Sequence, residues 1–223
     1  MKPNRIILVR HGESQGNVDA NAYANIPDYA LELTEKGKAQ ASEAGKKLKN
    51  IVGNESLFFY VSPMWRTRST FEQVAKAFDL SQLQYIEEPR IREQEWGNLR
   101  NLSQIEDTVT NRDAYGTFYY RMDNGESAAD VFDRMSDFMG TLHRDFEKPH
   151  FAQNTVLVTH SLTIRLFLMR WFKWTVEEYE HTAGLSNCEI IVLEKTENDK
   201  YILTTELKKY DSVYHNFQRP IQL

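Results

Sequence analysis

The chain has 223 residues, 41% of them hydrophobic and 26% charged, with a formal net charge of −5. This length suits one well-buried core, the composition excludes a disordered chain, and the acidic balance argues against a nucleic-acid binder. One cysteine, Cys188, excludes an intramolecular disulfide framework, and no apolar stretch reaches membrane-spanning length, so a soluble, cytoplasmic protein is expected.

Met1-Lys2-Pro3-Asn4-Arg5 carries no apolar leader and runs directly into Ile6-Ile7-Leu8-Val9. Four consecutive apolar residues, mostly β-branched, read as a strand buried on both faces. The run breaks into Arg10-His11-Gly12, where glycine permits a sharp turn and close approach of the backbone to a ligand. Residues 15–33 are polar and irregular, punctuated by Asn17, Asn21, Asn25 and Pro27. Taken alone, Asn17 reads as a turn residue. Thr34 caps a helix expected to run to about Asn50, with Ala41, Ala44, Gly45 and Leu48 as its apolar stripe.

Leu57-Phe58-Phe59-Tyr60-Val61 is a second apolar run, ending in Ser62-Pro63-Met64-Trp65-Arg66. The helix that follows is expected to hold Pro63 in its first turn and to bury Phe71, Val74, Ala75 and Phe78. Arg66 falls in that first turn, where the positive end of the helix favours an anion; Arg68 points elsewhere. Gln84-Tyr85-Ile86 fits a short strand. Glu93 and Glu95 follow in a charged neighbourhood with Arg90 and Arg92, whose plain reading is a solvated cluster. Spacing does not choose between the two glutamates.

Residues 98–126 read as the least regular part of the chain, with three basic residues (Arg100, Arg112, Arg121) and five acidic ones (Glu106, Asp107, Asp113, Asp123, Glu126). Tyr115, Phe118, Tyr119 and Tyr120 cluster beside Arg121, and for most of them the plain reading is an anchor to the core. Ser127 and Asp130 make a capping-box start to a helix that carries Val131, Met135, Phe138, Met139, Leu142 and Phe146 on one stripe. A third apolar strand, Thr155–Thr159, ends in His160-Ser161, and a helix from about Leu162 to Phe172 follows. Ile190–Leu193 and Tyr201–Leu207 then form a hairpin. The expected fold is a three-layer α/β/α domain over residues 1–223, with a mainly parallel sheet and a late antiparallel strand.

If the three apolar strands lie parallel, their carboxyl ends share one edge, where open α/β sheets bind ligands. Arg10, His11, Arg66 and His160 then converge. Two arginines offer planar forks for a phosphate, and two histidines supply a nucleophile and a further donor. His143, His150, His181 and His215 show no metal-ligand spacing, and no metal is expected.

Leu8-Val9-Arg10-His11-Gly12-Glu13 resembles the Arg-His-Gly signature of the histidine phosphatase superfamily. That group holds cofactor-dependent phosphoglycerate mutases, fructose-2,6-bisphosphatases and broad-specificity phosphatases. The resemblance extends in order through Asn17, Leu33-Thr34-Glu35-Lys36-Gly37, Ser62-Pro63 with Arg66, Glu93 before Trp96-Gly97, Gly125-Glu126-Ser127, Thr159-His160 and Asn187. It departs at Ser161, where many members carry glycine; serine is small enough to be tolerated.

The resemblance implies a phosphoryl group carried on His11, a cradle of Arg10, Arg66 and His160, and Glu93 as proton donor. It also implies that Asn17 reaches the phosphate beside Ser161, and that residues 98–126 form a cap. Tyr120 and Arg121 would then contact the rest of the substrate, giving a preference for monophosphates with a ring or apolar portion. The expected substrate is a small-molecule phosphate monoester, with no cofactor. A mutase working through 2,3-bisphosphoglycerate is the alternative. The net-acidic segment, lacking the paired arginines expected of mutases, favours hydrolysis. A non-enzymatic interaction module is the third reading, disfavoured because every expected catalytic residue type is present.

Overall fold

The computed structural model describes residues 2–81, 83–98 and 102–210. Arg100 and His215 lie outside them. Six strands form one sheet in the order β3-β2-β4-β1-β5-β6: β1 (Arg5–Arg10), β2 (Leu57–Val61), β3 (Gln84–Glu87), β4 (Asn154–Thr159), β5 (Ile190–Lys195) and β6 (Tyr201–Leu203). The first four run parallel, with β1 and β4 in register from Arg5↔Asn154 to Arg10↔Thr159. β5 is antiparallel to β1, and β6 to β5.

The helices are α1 (Gln15–Val18), α2 (Ala22–Asn25), α3 (Glu35–Val52), α4 (Trp65–Ala75), α5 (Leu102–Tyr115), α6 (Ala128–Phe146), α7 (Ser161–Phe172) and α8 (Val176–His181). Side chains of a strand alternate between faces, so β1 serves two cores. Ile6 and Leu8 pack with Met135, Phe138 and Leu142 of α6 and with Ile164 and Phe167 of α7. Ile7 and Val9 pack with Ala44 and Leu48 of α3 and with Phe71 and Val74 of α4. A sheet covered on both faces needs apolar residues at every strand position, which is why Ile6–Val9 does not alternate with polar residues.

The caps anchor these helices as the sequence implies. Thr34 Oγ1 accepts from Gly37 N at 3.0 Å, and Ser127 with Asp130 closes a capping box on α6. Four expectations need correction. Pro63 stands before α4, whose N-cap is Met64, and Phe78 lies past its end, although it still packs on the same core. Residues 15–33 contain α1 and α2, one turn each, too short to leave a periodic signal. The stretch 98–126 holds the 14-residue α5, which no glycine or proline interrupts before Gly116. Its apolar positions, Leu102, Ile105 and Val109, are too few to make a readable stripe. Pairing of the last hairpin stops at Leu203, four residues earlier than expected.

Candidate active site

The carboxyl ends of β1, β2 and β4 meet at one edge of the sheet, and His11 and His160 face each other there with ring centroids 5.2 Å apart. His11 is buried and held by its backbone: its N–H donates to Thr159 O at 2.9 Å, and its carbonyl accepts from Asn187 Nδ2 and Cys188 N, each at 3.2 Å. Its ring Nδ1 lies 2.8 Å from Gly12 O. A carbonyl only accepts, so Nδ1 carries the proton and Nε2 keeps its lone pair. Burial, followed by the charges of Arg66 and Arg10, pushes the imidazole pKa well below its ordinary value. The ring is therefore neutral at neutral pH, with its lone pair on Nε2.

The turn that presents it leaves no room for a side chain. A Cβ on Gly12 would sit 2.5 Å from Gly37 O, where β1 meets the start of α3. Gly12 N also donates to Thr70 Oγ1 of α4 at 3.0 Å, so two helices fix the loop.

Arg66 is 2% exposed and lies in the first turn of α4. Arg10 Nη1 donates to Leu185 O, while its Nε is buried without a partner. His160, fully buried at the N-cap of α7, has Nε2 2.8 Å from Ser62 Oγ and Nδ1 3.7 Å from Glu93 Oε2. That Nδ1 is also an unpartnered buried atom. The Ser62 hydroxyl both donates and accepts, so its contact with Nε2 satisfies that nitrogen in either tautomer and leaves Nδ1 as the unpaired one. Buried polar groups in proteins are ordinarily paired. Arg10 Nε, a donor, and His160 Nδ1 are thus two unpaired buried nitrogens suited to a polar ligand such as a phosphoryl group.

Glu93 stands where an acid would be useful. Burial raises its carboxyl pKa above the ordinary value, against the opposing pull of Arg66. Its backbone is set by Arg134 of α6, which donates to the carbonyls of Arg90, Arg92 and Glu93 at 2.6, 2.9 and 3.0 Å. Glu126 in turn binds both Arg134 and Arg92. Glu95, the alternative that spacing left open, is exposed, and only its backbone joins this network, its N–H donating to Glu126 Oε2 at 3.0 Å and its carbonyl accepting from Glu126 N at 2.9 Å. Gly97 then turns the chain at φ +76°, with the position of a Cβ only 2.0 Å from Asp123 O.

Two site residues escaped the sequence reading. Tyr23 of α2 lies within electrostatic reach of Arg10, Arg66 and Glu93; burial, with the Asp28 carboxylate, pushes its phenol up to about 12. Asp28 binds Arg66 directly, Nη1 to its carbonyl at 2.7 Å and to Oδ1 at 3.0 Å. Arg134 was also missed, since an arginine beside an apolar helical stripe ordinarily reads as solvated.

The other expected substrate contacts are placed differently. Asn17 Oδ1 accepts from Ser14 N, Ser14 Oγ and Asn187 Nδ2, so its oxygen serves the loop and its amide nitrogen is the part open to a ligand. Ser161 Oγ accepts from Leu185 N at 2.9 Å, which makes it a support for the carbonyl that holds Arg10. Arg121 donates to Asp130 Oδ1 at 2.7 Å and to Gly125 O, and its side chain is 61% exposed. Tyr120 packs edge-on to Tyr115, and Phe118 is buried against Tyr179. These residues brace α5 against α6 and α8, and among the described residues nothing joins Tyr120 or Arg121 to the cluster of Arg10, His11, Arg66 and His160.

His11, Glu93 and His160 each offer a ligand atom within 4.8 Å of the others, a donor set of the size a metal requires. Beyond burial, it is the Arg66 charge that most disfavours a proton on either imidazole. A field that repels a proton also repels a metal ion and attracts an anion. No helix among the described residues is long and apolar enough to cross a membrane.

The chain is similar to several known proteins. The chain is 44% identical over 217 residues to the phosphoglycerate mutase-like protein AT74H of Arabidopsis thaliana, covering 90% of this chain and 77% of that one. It is 29% identical over 303 residues to the broad-range acid phosphatase DET1 of Saccharomyces cerevisiae, covering 94% and 91%. A 2,3-bisphosphoglycerate-dependent phosphoglycerate mutase of Bartonella henselae matches at 29% over 175 residues, covering 74% and 79%. A mycobacterial glucosyl-3-phosphoglycerate phosphatase solved with VO3 shares the fold, with a TM-score of 0.72 at 21% identity over 92% of this chain and 99% of that one. The profile of the histidine phosphatase superfamily (branch 1) matches residues 6–207, a span that includes all five residues gathered at the sheet edge, and the chain belongs to that superfamily.

Proposed function

We propose that this protein is a phosphatase that hydrolyses small phosphate monoesters through a phosphohistidine on His11. The observation that carries this reading is the His11 ring: Nδ1 is tied to Gly12 O, the imidazole is neutral, and Nε2 is left as the nucleophile. Nε2 attacks phosphorus, the bond from phosphorus to the ester oxygen breaks, and Glu93 passes its proton to the departing oxygen. Arg10, Arg66 and the His160 N–H hold the equatorial oxygens as charge redistributes. In the second half, water gives a proton to the Glu93 carboxylate and attacks phosphorus. The bond to Nε2 breaks, and inorganic phosphate leaves.

Hydrolysis is favoured over mutase chemistry by the state of the nearby cations. A mutase has to retain an intermediate with two phosphates. In segment 98–126, Arg112 is bound by Asp113 and Arg121 by Asp130, so neither described arginine is free for a second phosphate. The acid phosphatase name of the yeast relative supports the same choice.

The test is rapid-quench labelling with a phosphate-labelled monoester. Wild-type enzyme should yield an acid-labile, base-stable phosphoenzyme, and His11→Ala should lose both label and turnover. Full activity in His11→Ala would end this mechanism.

A further inference from the structure

A cavity of about 750 Å³ opens beside the phosphate cradle, between residues 23–29, 63–68 and 92–98. We propose that it is the leaving-group subsite, and that the Trp65–Tyr29 pair selects monophosphates whose alcohol is an uncharged ring. This rests on the phosphatase reading above for its direction of approach.

The location follows from the acid. Glu93 has to reach the departing oxygen, so the body of the alcohol extends from that side of the phosphoryl group. Arg92, the residue before Glu93, and Glu95, two residues after it, both line the cavity. Its inner wall is Tyr23, Asp28 and Met64, and the last two touch Arg66, the latter through its sulfur at 3.4 Å. The cavity therefore begins where the phosphoryl oxygens would end.

The chemistry follows from the walls. Trp65 and Tyr29 meet edge to face, with centroids 6.2 Å apart and planes at 85°, yet they are 42% and 57% exposed. Large aromatics left open beside a catalytic group are poised to take a third ring in the same geometry. The charges point the same way. Arg68 is bound bidentately by Glu87 and Arg92 by Glu126, while Asp28 is bound by Arg66. Each lining cation among the described residues already has a carboxylate partner, and Glu95 adds a further negative charge. An alcohol bearing its own phosphate or carboxylate gains nothing here, whereas a neutral ring gains burial.

None of the described residues from the aromatic cluster at 115–121 lines this cavity, so the ring preference expected from Tyr120 and Arg121 is moved to Trp65 and Tyr29.

The experiment compares kcat/KM for 1-naphthyl phosphate and glycerol 3-phosphate in wild-type, Trp65→Ala and Trp65→Phe enzymes. Binding of 1-naphthylmethylphosphonate and of methylphosphonate is measured on the same proteins by calorimetry. Trp65→Ala should lose about five- to tenfold on both naphthyl compounds and less than about twofold on the small ones, with Trp65→Phe recovering most of the loss. Equal losses on ring and small ligands, or no loss on the naphthyl ones, overturn the subsite. If wild-type enzyme turns over neither ester while the phosphonate binding difference persists, the subsite stands and the phosphatase reading falls. Tyr29→Ala, at an exposed position, repeats the comparison should Trp65→Ala fold poorly.

Discussion

Arg66 is held by Asp28 at two points, its Nη1 donating to the Asp28 carbonyl at 2.7 Å and lying 3.0 Å from Oδ1. The carbonyl contact orients the guanidinium, while the carboxylate sets a fixed negative charge beside an anion site. Asp28→Asn keeps the first and removes the second. Roughly 1 kcal/mol of screened repulsion should disappear, so inorganic phosphate should inhibit about fivefold more tightly. Product-inhibition constants measure this. Weaker phosphate binding would mean that the carboxylate chiefly positions Arg66.

The pH profile follows from two opposite shifts. His11 has to be neutral to attack, and its lowered pKa moves the low-pH limb of kcat/KM well below the ordinary imidazole range. Glu93 has to be protonated to donate, so activity falls as pH rises through its raised pKa. The optimum therefore lies on the acid side of neutrality. Glu93→Gln should flatten the high-pH limb and lower turnover of an alkyl phosphate by about 10²–10⁴. It should cost much less with p-nitrophenyl phosphate, whose leaving group needs little protonation. An unchanged high-pH limb in Glu93→Gln would assign that limb to another group.

Chelation separates the two uses of the His11, Glu93 and His160 cluster. With the cationic work done by Arg10 and Arg66, EDTA should leave kcat unchanged, and vanadate should compete with substrate. Loss of activity to EDTA, restored by a divalent ion, would make the trio a metal centre after all.

Arg121 offers a contrast with Trp65. Its bond to Asp130 is largely exposed, and exposed pairs contribute about 0.2–1 kcal/mol. Arg121→Ala should lower the unfolding free energy by no more than that and change kcat/KM by less than about twofold for every ester. A substrate-dependent change would return the cap to substrate selection.

The parts of the site that could be read in the sequence are those delivered by strands. Arg10, His11 and His160 each follow a buried apolar run, and parallel topology then forces them to one edge. Arg66 follows the same logic one helical turn later. Glu93 could not be separated from Glu95 by spacing, because neither lies on a periodic element, and only family resemblance chose it. Tyr23 and Asp28 were invisible for a related reason. One-turn helices carry no stripe, and their place beside Arg66 depends on how residues 15–33 fold back over α4. The aromatic cluster at 115–121 could not be assigned in the sequence because tyrosines beside an arginine look the same whether they brace a helix or read a ligand.

Each of the three strands that deliver site residues has a neighbour on both sides, and the two edges of the sheet are β3 and β6. Fraying starts at edges, where only one row of backbone bonds has to open. Amides in β3 and β6 should therefore exchange with deuterium through small local openings, while those of β1, β2 and β4 wait for the whole domain to come apart. The machinery that handles phosphate would then have no partly melted form. In rising urea, the fraction of active molecules should follow the fraction still folded, and the loss of catalysis would itself serve as a gauge of global unfolding.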